Sequence, residues 1–187
     1  LNQGLDFQII NRGSFGEGIA YELTFNNSFL KNEITALAEG IEYFDGGSYR
    51  GIAPVRNAVG QSLSTFFGYK MIGYFSSEAE VNSSPAQTGA GVGRFKYEDV
   101  NGDGVINDGD RTKLGSPHPD LLFGVNISLQ KGPWDMSMFW NGSLGNEIAD
   151  YTALYYESPY FFNGNRSTVV LDSWTPTNTN TDLPALS

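Results

Sequence analysis

A chain of 187 residues with a formal charge of −10 and no cysteine excludes several chemistries at once. Disulfides, thiolate metal sites and cysteine nucleophiles are ruled out, and a nucleic-acid backbone would be repelled, so no nucleic acid is expected as a partner. The 23 glycines and the 14% aromatic share, with few good helix-forming runs, favour one or two all-β domains rich in turns. No run approaches the ~18–20 apolar residues of a membrane helix, but that test is blind to transmembrane strands, which need only ~9–11 residues with one apolar face.

In chain order, the first period-2 segment carries Leu5, Phe7 and Ile9 against Asp6 and Gln8. A Gly-rich turn over 11–18 leads to the second, with Ile19, Tyr21, Leu23, Phe25 and Phe29 on one side and only Asn27 breaking it. A long Gly- and Pro-punctuated region, 31–120, follows. Within it, Phe66, Phe67, Tyr69, Tyr74 and Phe75 suit a small loop core or a ligand platform, with a core the commoner outcome. Residues 76–93 read as a flexible polar link, and Gly89, Gly91 and Gly93 lack the spacing and the strand-to-helix context of a nucleotide fingerprint.

The stretch Asp99-Val-Asn-Gly-Asp-Gly-Val-Ile-Asn-Asp-Gly-Asp110 puts side-chain oxygens at relative positions 1, 3, 5, 9 and 12, with Gly104 at 6 where a calcium loop turns sharply. Asp99, Asn101, Asp103 and Asp110 are candidate side-chain ligands, Val105 a carbonyl ligand, and Asn107 a direct or water-mediated one. Asp110 is shorter than the bidentate Glu of an EF-hand, which predicts a weaker or differently shaped site. The alternative is an Asx- and Gly-rich surface turn without metal. Phe95 and Tyr97 alternate with charge before the loop, and Gly115, Pro117 and Pro119 follow it, so it joins extended segments and is no helix-loop-helix sensor.

Two further alternating segments close the pattern: Leu121, Phe123, Val125, Ile127 and Leu129, then Trp134, Met136, Met138 and Trp140, joined by the Lys131-Gly132-Pro133 turn. Such strands fit a soluble sandwich, apolar face inward, or an outer-membrane barrel, apolar face to lipid, with Phe29, Trp134 and Trp140 as girdle candidates. The alternation of short turns with long loops favours the barrel, with 31–120 and 143–187 as extracellular loop regions. Four strands cannot close a barrel, for which about eight is the minimum, so an incomplete barrel segment is expected. No nucleophile elbow, zinc motif or spaced acid pair occurs, and His118 between two prolines reads as an ordinary turn residue, so the chain is not expected to be an enzyme.

Val59-Gly-Gln-Ser62, Phe67-Gly-Tyr-Lys70, Gly73 and the run from Phe95 through the loop to Arg111 occur in an order that resembles the SusC/RagA family of TonB-linked outer-membrane transporters of Bacteroidetes. Leu114-Gly-Ser-Pro-His-Pro119, Phe123-Gly124, Lys131-Gly132, the stretch from Phe139 to Gly145 with Asn146, and Ser173-Trp-Thr-Pro176 with Asn178 and Pro184 extend the resemblance along the whole chain. It implies a fragment, 1–187, of the C-terminal half of a plugged transmembrane β-barrel in the cell outer membrane, importing oligosaccharides or peptides. A SusD-like surface lipoprotein would cap it, outer-membrane lipid would surround it, and TonB would act through a region absent here. The competing expectation is a secreted calcium-stabilised β-domain acting as a carbohydrate-binding or adhesion module, with a closed soluble core.

Overall fold

The computed structural model describes residues 1–48, 53–157 and 164–186. Residues 49–52, 158–163 and 187, which belong to the expected loop regions 31–120 and 143–187, lie outside the described residues. The strands are β1 (Asn2–Phe15), β2 (Ile19–Asn32), β3 (Tyr43–Asp45), β4 (Val55–Ala58), β5 (Thr65–Tyr69), β6 (Met71–Tyr74), β7 (Ala86–Gln87), β8 (Phe95–Tyr97), β9 (Val105–Ile106), β10 (Arg111–Gly115), β11 (Leu121–Lys131) and β12 (Trp134–Leu144). Two short helices, α1 (Glu78–Ser83) and α2 (Tyr151–Tyr156), and two 3-10 turns, Asp108–Asp110 and Thr168–Asp172, complete the regular structure among the described residues. The chain divides into two compact units, Leu1–Phe66 with Gly115–Ile148, and Phe67–Leu114 with Ala149–Ser187.

The first unit is built on an antiparallel sheet ordered β1-β2-β11-β12. All four expected strands form, and β1 and β2 run longer than their apolar alternation. The turn expected over 11–18 contracts to Gly16, Glu17 and Gly18, with both glycines at positive φ. Polar cross-strand bonds carry the pairing where apolar alternation stops. The Arg12 Nε donates to Glu22 Oε2 at 2.6 Å, and the Tyr21 hydroxyl donates to Asn11 Oδ1 at 2.7 Å. The Tyr21 ring lies across Gly13, where a Cβ would meet it at 2.8 Å.

Register aligns the alternation of all four strands. Leu5, Phe29, Leu121 and Leu144 form one row, Ile9, Phe25, Val125 and Trp140 another, and Leu23, Ile127 and Met138 a third. On the opposite face stand Gln8, Asn26, Gly124 and Asn141, then Arg12, Glu22, Ser128 and Ser137. Trp140, expected near a strand end, lies mid-strand because β12 continues to Leu144. The apolar face is open: Leu5 is 65% exposed and Trp134 77%. Among the described residues, the buried hydrophobic side chains are Phe75, Val170 and Trp174, none of them on this sheet.

The connection leaving β2 is folded. The Ile34 N–H donates to the Gln61 carbonyl and the Gly60 N–H to the Ile34 carbonyl, each at 2.8 Å. Arg56 on β4 forks onto both oxygens of Asp45 at 2.7 and 3.1 Å and lies 3.7 Å from the Tyr43 ring centroid. The Asp120 carbonyl accepts from Leu30 N–H at 2.9 Å and its own N–H donates to Leu144 at 3.0 Å, which ties the return of the chain to both hairpins.

In the second unit β6 pairs with β8, and β7 pairs with β9 in parallel. The link expected over 76–93 is ordered instead. Ser77 caps α1 through its hydroxyl to Glu80 N–H, while Glu80 accepts from the Ser76 N–H, the Ser76 hydroxyl and Lys96 at 2.7–2.8 Å. Ser77-Glu-Ala-Glu80 is the S-x-x-E signature of a helix start, a signal present in the sequence and outweighed by the surrounding polarity. The tail packs on Gly93, whose φ of +79 and missing Cβ admit the Trp174 ring, and the Ala185 N–H donates to the Gly93 carbonyl at 2.9 Å.

These bonds hold the Glu80 carboxyl down to about 2, with the Lys96 hydrogen bond the largest cause, against an ordinary value of 4.5. A lowered carboxyl stabilises the fold fully above the unfolded value and loses that contribution as pH falls through the folded one. Amide protection of residues 77–83 in the whole protein should therefore decline between about pH 4.5 and 2, and Glu80→Gln should flatten that dependence; hydrogen exchange across this range checks it.

Candidate functional site

The loop 99–110 lies wholly in the second unit, between β8 and β10, and ends in the 3-10 turn Asp108–Asp110. As the sequence predicts, a strand leads into it. Gly102 and Gly104 both adopt positive φ, +73 and +82, so the sharp turn does require glycine at relative position 6. Gln87 on the neighbouring β7 clamps the entry, donating to the Phe95 carbonyl at 2.8 Å and accepting from Tyr97 N–H at 3.2 Å.

Asp99 begins the loop by accepting from Gly102 N–H on one oxygen, at 2.7 Å, and Gly104 N–H on the other, at 2.8 Å. Asp103 accepts from Val105 N–H at 2.8 Å on Oδ1, and its Oδ2 faces the amide nitrogens of Asn101 at 3.1 Å and Asn107 at 3.5 Å. The Asn107 amide also donates to the Val105 carbonyl at 3.1 Å. One amide group thus gathers two of the predicted ligands, the oxygens at positions 5 and 7. Asn107 Oδ1 meanwhile caps the 3-10 turn by accepting from Gly109 N–H at 2.8 Å.

Asp110 is fully buried. Its Oδ1 accepts from Val100 and Asn101 N–H at 2.9 and 3.4 Å, and its Oδ2 from Asn107 N–H at 2.8 Å. These bonds hold its carboxyl below the usual range, the Asn107 bond most strongly, against burial, which acts the other way. The Asp99 carboxylate adjoins that of Asp110, so two acids from opposite ends of the loop meet. Asp110 therefore draws the loop shut through its own backbone.

The predicted residues lie in one hydrogen-bonded loop, and their oxygens, carboxylate, carboxamide and carbonyl with neither sulfur nor imidazole, are of the kind a hard cation takes. Among the described residues no three acidic or histidine side chains gather into a metal group, so a cation here would have to draw on Asn101, Asn107 and the Val105 carbonyl as well as acids. Acceptor capacity suffices, since a carboxylate offers about four lone-pair sites and Asp110 uses three. Sequence reasoning missed Tyr69, whose hydroxyl donates to Asp108 Oδ1 at 3.2 Å. Burial, and then that bond, push the Tyr69 hydroxyl above its usual range. Tyr69 belongs to the aromatic run noted above, but nothing in its spacing announces Asp108, and nothing local announces Gln87.

Catalytic geometry is not part of this arrangement, and His118 lies in the first unit, its N–H on the Ser116 hydroxyl at 3.1 Å.

No protein-family model matches the chain. In sequence it is 33% identical over 187 residues to TonB-dependent receptor P26 of Formosa agariphila, and 29% to receptor P3 of the same organism. Each alignment covers 98% of this chain and 18% of the relative. It is 26% identical over 154 residues to the TonB-dependent receptor SusC of Bacteroides thetaiotaomicron, covering 79% of this chain and 14% of SusC. In fold it matches the RagAB peptide transporter with a TM-score of 0.71 at 16% identity, over 99% of this chain and 20% of that one. The chain thus spans at most a fifth of the length of the proteins it matches. The relatives are named as receptors, in keeping with the expectation that the chain is not an enzyme. Over nearly all its length the chain is thus similar in sequence to one segment of TonB-dependent receptors, SusC among them, and in fold to one segment of the RagAB transporter.

Proposed function

We propose that the chain supplies part of the barrel wall and outer loops of an outer-membrane, TonB-dependent importer of oligosaccharides or peptides that works with a SusD-like lipoprotein. The observation that carries this reading is the exposed apolar face of the β1-β2-β11-β12 sheet. From the row of Phe29 to that of Ile19 the strand advances ten residues, about 33 Å along its axis, which a tilt near 40° reduces to about 25 Å. That is the height of an outer-membrane apolar band. Trp134 and Phe15 stand at its hairpin end and Phe29 at the other, where aromatic girdles belong. The polar face, rich in Asn, Gln and Ser, then lines a wet lumen. A soluble calcium-stabilised module would need this same face buried, and the sheet has no buried hydrophobic side chain to give it a core.

Peptide transport by the structural neighbour supports the peptide class of cargo, and the oligosaccharide class rests on the sequence resemblance. Under this reading 31–120 and 143–187 project outside the cell, and lipid contacts Leu5, Phe25, Val125 and their row neighbours. Calcium held by Asp99, Asn101, Asp103, the Val105 carbonyl, Asn107 and Asp110 would supply positive charge between acids that otherwise face one another. The Asn107 amide, donating to Asp103 Oδ2 and the Val105 carbonyl, is a weaker version of that attraction. The metal's role is structural: it stiffens a surface loop already shut by Asp110. An affinity near 10⁻⁴–10⁻³ M suits extracellular calcium.

Two measurements on the whole receptor test these assignments. In urea unfolding from lipid vesicles, Val125→Arg should cost about 2–4 kcal/mol while Asn126→Arg, on the other face, should cost well under half of that; equal costs would sink the lipid-facing assignment. Calcium titration should slow hydrogen exchange in residues 99–110 with a midpoint in the range above, and Asp103→Ala should abolish the response. Exchange unchanged by calcium in the wild type would leave the loop a metal-free Asx turn.

A further inference from the structure

Asn-Gly occurs three times in the chain, at 101–102, 141–142 and 163–164, and the asparagine of the third lies outside the described residues. Glycine has no side chain to shield its amide nitrogen from the carboxamide carbon of the residue before it. At Asn101-Gly102 the loop gathers the groups that an attack by that nitrogen requires. Asn101 Oδ1 accepts from Asp103 N–H at 2.9 Å, an Asx turn that folds the carboxamide back over the Gly102 peptide. The Gly102 N–H donates to Asp99 Oδ1 at 2.7 Å, and the Asn101 amide donates to Asp103 Oδ2 at 3.1 Å. Both residues are exposed, and the open space where a Gly102 Cβ would stand, at φ +73, admits water.

We propose that Asn101 is a self-modifying site, converted by its own loop through a cyclic imide to aspartate or isoaspartate. The Gly102 nitrogen bonds to Asn101 Cγ while its proton leaves along the hydrogen bond to Asp99. The charge that develops on Asn101 Oδ1 falls on the Asp103 N–H already aimed at it. The Asn101 Cγ–Nδ2 bond then breaks, and ammonia departs with the proton given up by Gly102. Water adds to either carbonyl of the ring and opens it, to a side-chain carboxylate or to a main chain lengthened by one carbon; nothing is oxidised or reduced.

Neighbouring residues show which parts of the arrangement matter. Asn107 makes the same turn through Gly109 N–H at 2.8 Å, but Asp108 rather than glycine follows it. Asn141 is followed by Gly142, but both lie in β12, where pairing with Gly124 and Phe123 holds the backbone extended and the side chain out on the sheet face. Asp103-Gly104 repeats both the turn and the Asp99 contact, at 2.8 Å each, yet its carboxylate resists a nucleophile where a carboxamide does not. Conversion of Asn101 replaces the amide that bonds Asp103 with another acid, and so exchanges attraction for repulsion inside the loop.

Neither the importer reading nor a bound cation enters this step, so chelator is present throughout its test. The detergent-purified whole receptor is incubated at neutral pH in heavy-oxygen water, native and unfolded in guanidinium chloride, and conversion at each asparagine is followed by peptide mass spectrometry. Asn101 should convert about tenfold faster in the native receptor than in the unfolded one, a small part of what orientation supplies. It should take up solvent oxygen and yield isoaspartate among its products. Asn107 and Asn141 should convert more slowly when folded. Asp99→Asn, which keeps an acceptor for Gly102 but removes the charge, should bring the native rate at Asn101 down to the unfolded one, with hydrogen exchange in 99–110 verifying that its loop stays closed. If that loop opens, the native-to-unfolded ratio of the wild type decides alone. A native rate at Asn101 no higher than the unfolded rate, aspartate without isoaspartate, or an unchanged rate in a closed Asp99→Asn loop would each overturn the proposal.

Discussion

The pairing of β2 with β11 is the constraint on which the rest of the structure depends. The outer pairs are hairpins whose registers follow from their tight turns, but β2 and β11 meet only after the chain has passed through residues 33–120. Side chains alternate with a period of two, so a one-residue slip at this central seam would set the apolar rows of one hairpin beside the polar rows of the other. Phe25 opposite Val125 and Leu23 opposite Ile127 keep the faces in phase. Closing so long a connection costs entropy that grows only slowly with length, and the insertion returns part of it by folding on itself. The bonds of Ile34 to Gly60 and Gln61, and those of Asp120 to both hairpins, bring the two ends back to the same place.

A different logic governs the second unit, where side chains replace strand ladders as the organising bonds. Glu80 and Asp110 each take several donors, and Gln87 donates to one carbonyl while accepting from one N–H, and so they hold short segments that have little regular structure. Asp110 illustrates why the last acid of such a loop is the critical one. Its burial is tolerable only because three N–H groups converge on it, and those same bonds set the curvature that brings Asp99 back beside it. Loop shape and any cation affinity are therefore not independent properties.

The four long strands were legible because alternation is a short-range signal, and so was the positive-φ role of Gly104. What alternation could not show was where the strands stop. The polar run Asn11-Arg12-Gly13-Ser14 looks like turn chemistry, and only the partners Tyr21 and Glu22 across the hairpin make it strand. The same blindness misplaced Trp140 at an end. Helix α1 failed for the opposite reason: its capping signal is local and was present, but it is six residues long with no buried face to give it periodicity. In the loop, spacing located residues that bond to one another, while the Tyr69 and Gln87 contacts depend on strands that approach from elsewhere in the chain.

The outer edges of β1 and β12 carry one consequence for handling the protein. Among the described residues neither edge has a neighbouring strand, and each presents a row of main-chain donors and acceptors beside an uncovered apolar surface. In aqueous buffer the most accessible complement to such a row is the same row on another molecule. Produced as an isolated polypeptide, this segment should go to inclusion bodies and, once dissolved in denaturant, return to amyloid-like stacks on dilution unless detergent is present to occupy the sheet's exposed side.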